Sequence, residues 1–316
     1  MLKRLGPVRS LLLLVALGGL AYWSYNDFRV GPPQQHIDYT REAPPTPDSD
    51  RASRMKEAHP QDQAFRSADD VWIHYDDQGD GEQTLVLVHG WNCDRSYWQL
   101  QRDFLAERFR VVTVDLAGHG ESGVDRVDWS IDAFADDVAA VVIGLNLRRV
   151  TLVGHSMGGN VVLATADKLG SRLERVVAVD TLRRPDESFP ATTLSATLDN
   201  MDIDYAGTVS AIVQTMFVDD SSRQVRDFVV RDMAASPPEV GRGALLALAA
   251  HNPMPQLQAL TVPLVMINSS YQPTKVDILE ATVDDFSYVE MTDVGHFVML
   301  EDPTTFTDLL LAAVGG

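Results

Sequence analysis

The sequence predicts an α/β fold, a doubly wound and mostly parallel sheet carrying an inserted helical cap. Three observations lead there. β-Branched runs without polar alternation recur at 85–88, 111–114, 150–153 and 176–179, which is how strands buried on both faces read. Amphipathic stretches at 97–109, 131–145 and 158–169 fall between them, at the spacing of crossover helices that join parallel strands. Segment 183–255 then breaks the alternation with helical periodicity and no good strand, as an insertion over the carboxyl edge of the sheet would.

At 316 residues, the chain suits one large α/β domain with an insertion. Hydrophobic residues make up 45% of it and charged residues 22%, enough apolar surface for a substantial core and too much for wholesale disorder. The formal net charge is −19 with no clustered Lys and Arg, which argues against nucleic acid or an anionic membrane surface as a partner. Cys93 is the single cysteine; it cannot form an intramolecular disulfide and is expected as a small buried hydrophobe. No C-x-x-C or H-E-x-x-H pattern occurs and the eight histidines are scattered, so no metal site is expected.

Taken in order, the amino terminus joins Lys3, Arg4 and Arg9 to the apolar stretch 11–23, the layout of an export signal. Residues 1–25 are expected as a signal peptide cleaved near Gly19 and Ala21, or as a retained anchor with Tyr22, Trp23 and Tyr25 at the membrane interface. Either fate implies a protein of the cell envelope or the exterior. Residues 26–66 contain Pro32-Pro33 and Pro44-Pro45-Thr46-Pro47 without sustained apolar periodicity and are expected to be a spacer.

The folded core is expected from 67–182 and 256–316, with 71–75 opening the sheet, 262–267 and 286–291 as later strands and 303–314 as the terminal helix. Within the cap, 183–255, Val209, Ile212, Val213, Met216 and Phe217 share one helical face, and further helices are expected around 225–233 and 240–248. Met201, Ile203, Tyr205, Met216 and Phe217 are candidate pocket walls, although such periodic apolar residues equally mark core packing.

Gly154-His155-Ser156-Met157-Gly158 has the G-x-S-x-G spacing directly after an apolar run. A strand that turns abruptly into a helix there exposes the Ser156 hydroxyl on strained backbone, and the glycines admit neighbouring chain. The plainer reading is a glycine-containing turn after a buried strand. Three more motifs accompany it: His89-Gly90-Trp91, the Asp115-to-Ser122 segment DLAGHGES, and Gly295-His296-Phe297.

In this order, the motifs resemble those of the α/β-hydrolase family, specifically esterase- and lipase-like serine hydrolases with a helical cap, over residues 67–316. The resemblance implies a Ser, acid, His triad in that chain order. Ser156 is then the expected nucleophile and His296 the base, with the backbone N–H groups of Trp91 and Met157 as the oxyanion hole. The loop from Asp115 to Ser122 is expected to support the nucleophile region. His89, His119 and His155 are expected to shape turns, and His74 and His251 to be structural or superficial.

The acid departs from the common family pattern. Many members carry Asp just after the strand equivalent to 262–267, where this chain reads Asn268-Ser269-Ser270-Tyr271-Gln272-Pro273. Asp180 ends the preceding strand, and a carboxylate there can accept from the second imidazole nitrogen and stabilise the imidazolium. Asp180 is therefore the expected acid, ahead of Asp277 and Asp284; otherwise it merely caps its strand.

The expected function is that of an exported hydrolase acting on a small-molecule substrate, cleaving a carboxylic ester with a small or medium hydrophobic group through an acyl-enzyme, without a cofactor. The same triad serves lactone, amide and carbon–carbon bond hydrolysis and cofactor-free haloperoxidase-like chemistry, and a hydrolase fold that binds without catalysis is a further reading. Haloalkane dehalogenase and epoxide hydrolase chemistry is disfavoured, because those relatives attack with Asp where this chain has Ser156.

Overall fold

The computed structural model describes residues 63–315. The expected signal or anchor, 1–25, and the spacer up to residue 62 lie outside the described residues. Among those described, no helix is long and apolar enough to cross a membrane.

Eight strands form one sheet in the order β1-β2-β4-β3-β5-β6-β7-β8. They are β1 (Ala64–Arg66), β2 (Trp72–Gln78), β3 (Thr84–Val88), β4 (Arg110–Val114), β5 (Val150–His155), β6 (Leu173–Val179), β7 (Leu264–Ser269) and β8 (Phe286–Met291). β2 runs antiparallel to β1 and β4, and all remaining pairs are parallel. β3 and β5 are buried along their whole length, the environment that their unbroken apolar runs require. Each fully buried Val or Leu there contributes about 1.5–3 kcal/mol of transfer free energy.

Three core helices follow the expected pattern: α1 (Gln99–Leu105), α2 (Ile131–Gly144) and α3 (Met157–Leu169). Ser130 caps α2 by accepting from the Ala133 N–H at 3.0 Å, satisfying a donor that the helix itself leaves open. Between β6 and β7 lie α4 (Ala191–Ile203), α5 (Tyr205–Gln214), α6 (Arg223–Ala234), α7 (Pro238–Ala250) and the short α8 (Met254–Ala259). After β7 come α9 (Val276–Thr282), α10 (Val298–Glu301) and the terminal α11 (Pro303–Gly315).

The structure amends several expectations. β1 lies within the last residues assigned to the spacer, so the sheet opens before residue 71. The insertion contains α4, which its Thr-, Ser- and Asp-rich sequence concealed. α5 ends at Gln214, leaving Met216 and Phe217 in the following loop. Ile203 is 85% exposed, whereas Met201 and Tyr205 are buried. Cys93 is buried, and burial pushes its thiol well above the ordinary range.

Two features of the topology prepare the site. β3 connects outward to β4 on one side, while β5 pairs with its other side, so the chain direction switches between β3 and β5; ligands of open α/β sheets bind beyond the carboxyl ends at such a point. Registers Val88↔Gly154, His155↔Val179 and Val179↔Ile267 then bring the residues just after β3, β5, β6 and β7 side by side. The loop after β4 is pinned from below: Asp137 of α2 accepts from Ala117 N at 3.0 Å, from Ser67 Oγ at 2.6 Å and from the buried Arg126 guanidinium at 2.6 Å. Burial pushes the Asp137 carboxyl up while Arg126 opposes it. Breaking such a buried pair costs about 3–5 kcal/mol.

Candidate active site

Ser156 stands between β5 and α3 with φ 55° and ψ −119°, a strained conformation for a residue with a side chain. What enforces it is the closeness of the surrounding backbone. A Cβ on Gly158 would lie 2.4 Å from the His89 carbonyl oxygen, and one on Gly154 would lie 2.2 Å from that of Gly158. Only glycine lets α3 begin this tightly against β3. The turn is held by Ser156 N donating to Val179 O at 2.9 Å and by Thr181 Oγ1 donating to Ser156 O at 2.7 Å.

The Ser156 hydroxyl lies 2.8 Å from His296 Nε2, and His296 Nδ1 lies 2.5 Å from Asp180 Oδ2. In the matching tautomer Nδ1–H donates to the carboxylate and Nε2 accepts from the hydroxyl, the arrangement in which an imidazole can take the serine proton. His296 is 8% exposed and Asp180 1%. Asp277 and Asp284, the alternative acids, are exposed residues at the start of α9 and after it, and the Nδ1 position is taken by Asp180.

Asp180 is held by more than the histidine. Its second oxygen, Oδ1, accepts from Ser269 N at 2.6 Å, Ser269 Oγ at 2.8 Å and the Arg183 guanidinium. Burial would raise its pKa, but the His296 hydrogen bond and charge, Arg183 and the Ser269 N–H outweigh it and hold the carboxyl at about 2. Arg183 also donates to Ser269 O at 2.9 Å and stacks over Tyr271 at 5.0 Å. Asn268 occupies the place of the more usual family acid. Its side chain accepts from Thr181 N at 3.1 Å and donates to Thr181 O at 2.9 Å, so it braces the turn that carries Asp180.

The histidine loop is fixed from three directions. Glu301 accepts from Gly295 N at 3.0 Å, from Phe297 N at 3.1 Å and from Ser221 Oγ at 2.5 Å. His296 N donates to Met216 O of the insertion at 2.7 Å. His155 Nε2–H donates to the His296 carbonyl at 2.9 Å. Burial, followed by the adjacent His296, pushes His155 down to about 3, so this donor stays a neutral imidazole. His89 and His119 are likewise buried and held to about 4 and about 3, chiefly by desolvation; His89 Nε2 accepts from Leu116 N at 3.1 Å.

Trp91 and Met157 flank the serine from the ends of β3 and β5, and both are buried. Neither backbone N–H has a hydrogen-bond partner among the described residues. Two unpaired donors beside a serine hydroxyl, one of them at a helix N-terminus, are groups that can receive negative charge. No group of three or more His, Cys, Asp or Glu among the described residues could hold a metal ion.

Ser156, His296 and Asp180 are thus brought together: the first two as expected from their motifs, Asp180 as expected from its place at the end of its strand. Arg183, Ser269, Glu301 and the supporting role of His155 carried no sequence signal: Ser269 and His155 act on segments distant in the chain, while Arg183 and Glu301 reach nearby residues through loop paths that no periodicity announces.

The sequence profile of the Alpha/beta hydrolase family matches residues 85–309. An esterase from Exiguobacterium antarcticum superposes with a TM-score of 0.74 at 19% identity, over 80% of this chain and 99% of that one. A thermophilic esterase from Thermogutta terrifontis superposes with a TM-score of 0.71 at 26% identity, over 80% and 98%. A curated protein of Mycobacterium tuberculosis, itself uncharacterised, is 36% identical over 95 residues, 30% of this chain; the match spans 28% of that relative's length.

Proposed function

Because the chain belongs to the α/β-hydrolase family and is an enzyme of that class, we propose that it is a serine esterase cleaving carboxylic esters with a small or medium hydrophobic group. One observation carries this reading: the unbroken hydrogen-bond chain from Ser156 through His296 to Asp180. The esterase from Thermogutta terrifontis, similar over most of its length, supports an ester as substrate.

In the proposed reaction Ser156 Oγ attacks the ester carbonyl while its proton passes to His296 Nε2, and Asp180 stabilises the imidazolium that results. The carbonyl oxygen becomes an oxyanion received by the Trp91 and Met157 N–H groups. The tetrahedral adduct collapses with return of the proton to the departing alkoxide, leaving an acyl-Ser156 ester and the alcohol. Water, deprotonated by His296, then repeats the attack, releasing the carboxylic acid and restoring the hydroxyl.

A fluorophosphonate probe tests the reading directly. Labelling of the folded protein that disappears in Ser156→Ala supports it, and wild-type protein that does not react refutes it. A series of p-nitrophenyl esters of increasing acyl length would define the group accommodated. We also propose export beyond the cytoplasmic membrane, from the basic and apolar pattern of residues 1–25; the mass of the exported protein would report whether that segment is retained.

A further inference from the structure

We infer that Asn92, gripped by Tyr205 and Met233 of the helical insertion, is a positioning residue for the Trp91 backbone N–H, so that the insertion holds one of the two oxyanion donors in place. The inference rests on the acyl-transfer reading of Ser156.

The argument begins with the donor itself. The Trp91 N–H has no partner among the described residues, so no hydrogen bond of its own aims it. Its direction follows from the residues on either side. On one side is Gly90, where an added Cβ would lie 3.1 Å from Ser156 Cβ, which shows how closely this loop approaches the nucleophile. On the other is Asn92, with a φ of 56°. A side-chain-bearing residue keeps such a conformation only where its surroundings over-determine it.

Those surroundings are supplied by the insertion. Asn92 Nδ2 donates to Tyr205 Oη at 2.8 Å and to Met233 O at 3.3 Å, and the Asn92 carbonyl accepts from Ser236 Oγ at 3.2 Å. Trp91 Nε1 donates to Gly241 O at 2.7 Å. Four bonds to α5, α6, α7 and the turn between the last two thus converge on two consecutive residues. The packing leaves no slack either: a Cβ on Gly241 would lie 1.8 Å from Tyr205 Oη and 2.8 Å from Asn92 Oδ1. Asn92 itself is 2% exposed, so water does not compete for these bonds.

The insertion therefore acts on the loop that carries Trp91. If it shifts, the Trp91 N–H turns away from the oxyanion, while the binding of the uncharged ground-state ester changes little. A loss of this kind appears in kcat and in the affinity for a tetrahedral mimic, and leaves KM unchanged.

The test uses the full chain with Tyr205→Phe, which removes one oxygen atom, and Asn92→Ala. Each is measured for kcat and KM on a p-nitrophenyl ester, for Ki of a trifluoromethyl ketone whose hemiketal oxygen occupies the oxyanion position, and for melting temperature. We expect kcat to fall about tenfold in Tyr205→Phe, less than the hundred- to thousandfold loss on deleting a donor outright, with Ki rising by the same factor and KM unchanged. A folded Tyr205→Phe variant with wild-type kcat and Ki overturns the inference, as does a loss expressed wholly in KM. Should Asn92→Ala not fold, Tyr205→Phe decides alone. Wild-type protein inert to fluorophosphonate removes the esterase reading and this inference with it; labelled wild type beside an unaffected variant removes the inference only.

Discussion

Asp180 Oδ2 and His296 Nδ1 lie 2.5 Å apart across 116 residues of sequence, and the carboxylate reaches the imidazole from the end of β6. Its neighbour on the sheet, β7, ends in Asn268 and Ser269, which brace Asp180 through its turn and its second oxygen.

Asp180→Asn is expected to lower kcat/KM by about 10⁴-fold, because an amide cannot stabilise the imidazolium and favours the wrong tautomer. Asp277→Asn, at an exposed position on α9, is expected to leave it unchanged. Steady-state kinetics on one ester, with both variants shown to be folded, checks this.

The same carboxylate makes stability depend on acid. Its value falls from 3.8 to about 2 on folding, so the ionised form favours the native state by about 2 kcal/mol. That contribution is complete well above pH 4 and is lost as pH falls through 3.8 towards 2. Urea unfolding of the wild type and Asp180→Asn at pH 6 and pH 2.5 is expected to show a stability gap that narrows at the lower pH; a constant gap would contradict it.

Glu301 accepts from the N–H groups on both sides of His296. Glu301→Ala leaves both donors without their acceptor and is expected to cost about 1–3 kcal/mol of stability. It should also lower kcat by roughly tenfold or more, because small misplacements of a reacting group are expensive. Glu301→Gln, which keeps an acceptor but loses the charge, is expected to fall between. Melting temperatures and kcat for the three proteins test the order.

Gly158→Ala is expected to destabilise the fold by about 2–3 kcal/mol and abolish fluorophosphonate labelling. The new methyl would sit 2.4 Å from the His89 carbonyl and 2.6 Å from that of Val88, both backbone atoms of the central sheet that cannot step aside. A stable, fully labelled variant would contradict the account of the turn at Ser156.

The central strands are legible because Thr84–Val88 and Val150–His155 are covered on both faces and so read as continuous apolar runs; Phe286–Met291, at the edge of the sheet, is only partly buried and still forms a strand over the expected bounds. β1 escaped because three residues, Ala64, Phe65 and Arg66, carry no periodicity. α4 escaped for a different reason: Leu194, Leu198 and Met201 form a thin stripe among Thr, Ser and Asp, residues of weak helix preference. Met216 and Phe217 continued the apolar spacing of α5, yet the chain leaves the helix before them and the Met216 carbonyl turns to the His296 N–H.

By itself, the sequence determined which residues are chemically competent and in what order they occur, because a serine between glycines after a buried strand and a histidine after the last strand are local patterns. Only the tertiary structure decided which carboxylate meets His296, that Arg183 and Ser269 hold it, that Glu301 fixes the histidine loop, and that Asn92 is gripped by the insertion. The contacts of Asp180 with His296 and Ser269 and the grip on Asn92 join segments far apart in the chain, and their partners are set by strand order, register and the path of the inserted helices; Arg183 and Glu301 lie near the residues they hold, and there the path of the loop decides.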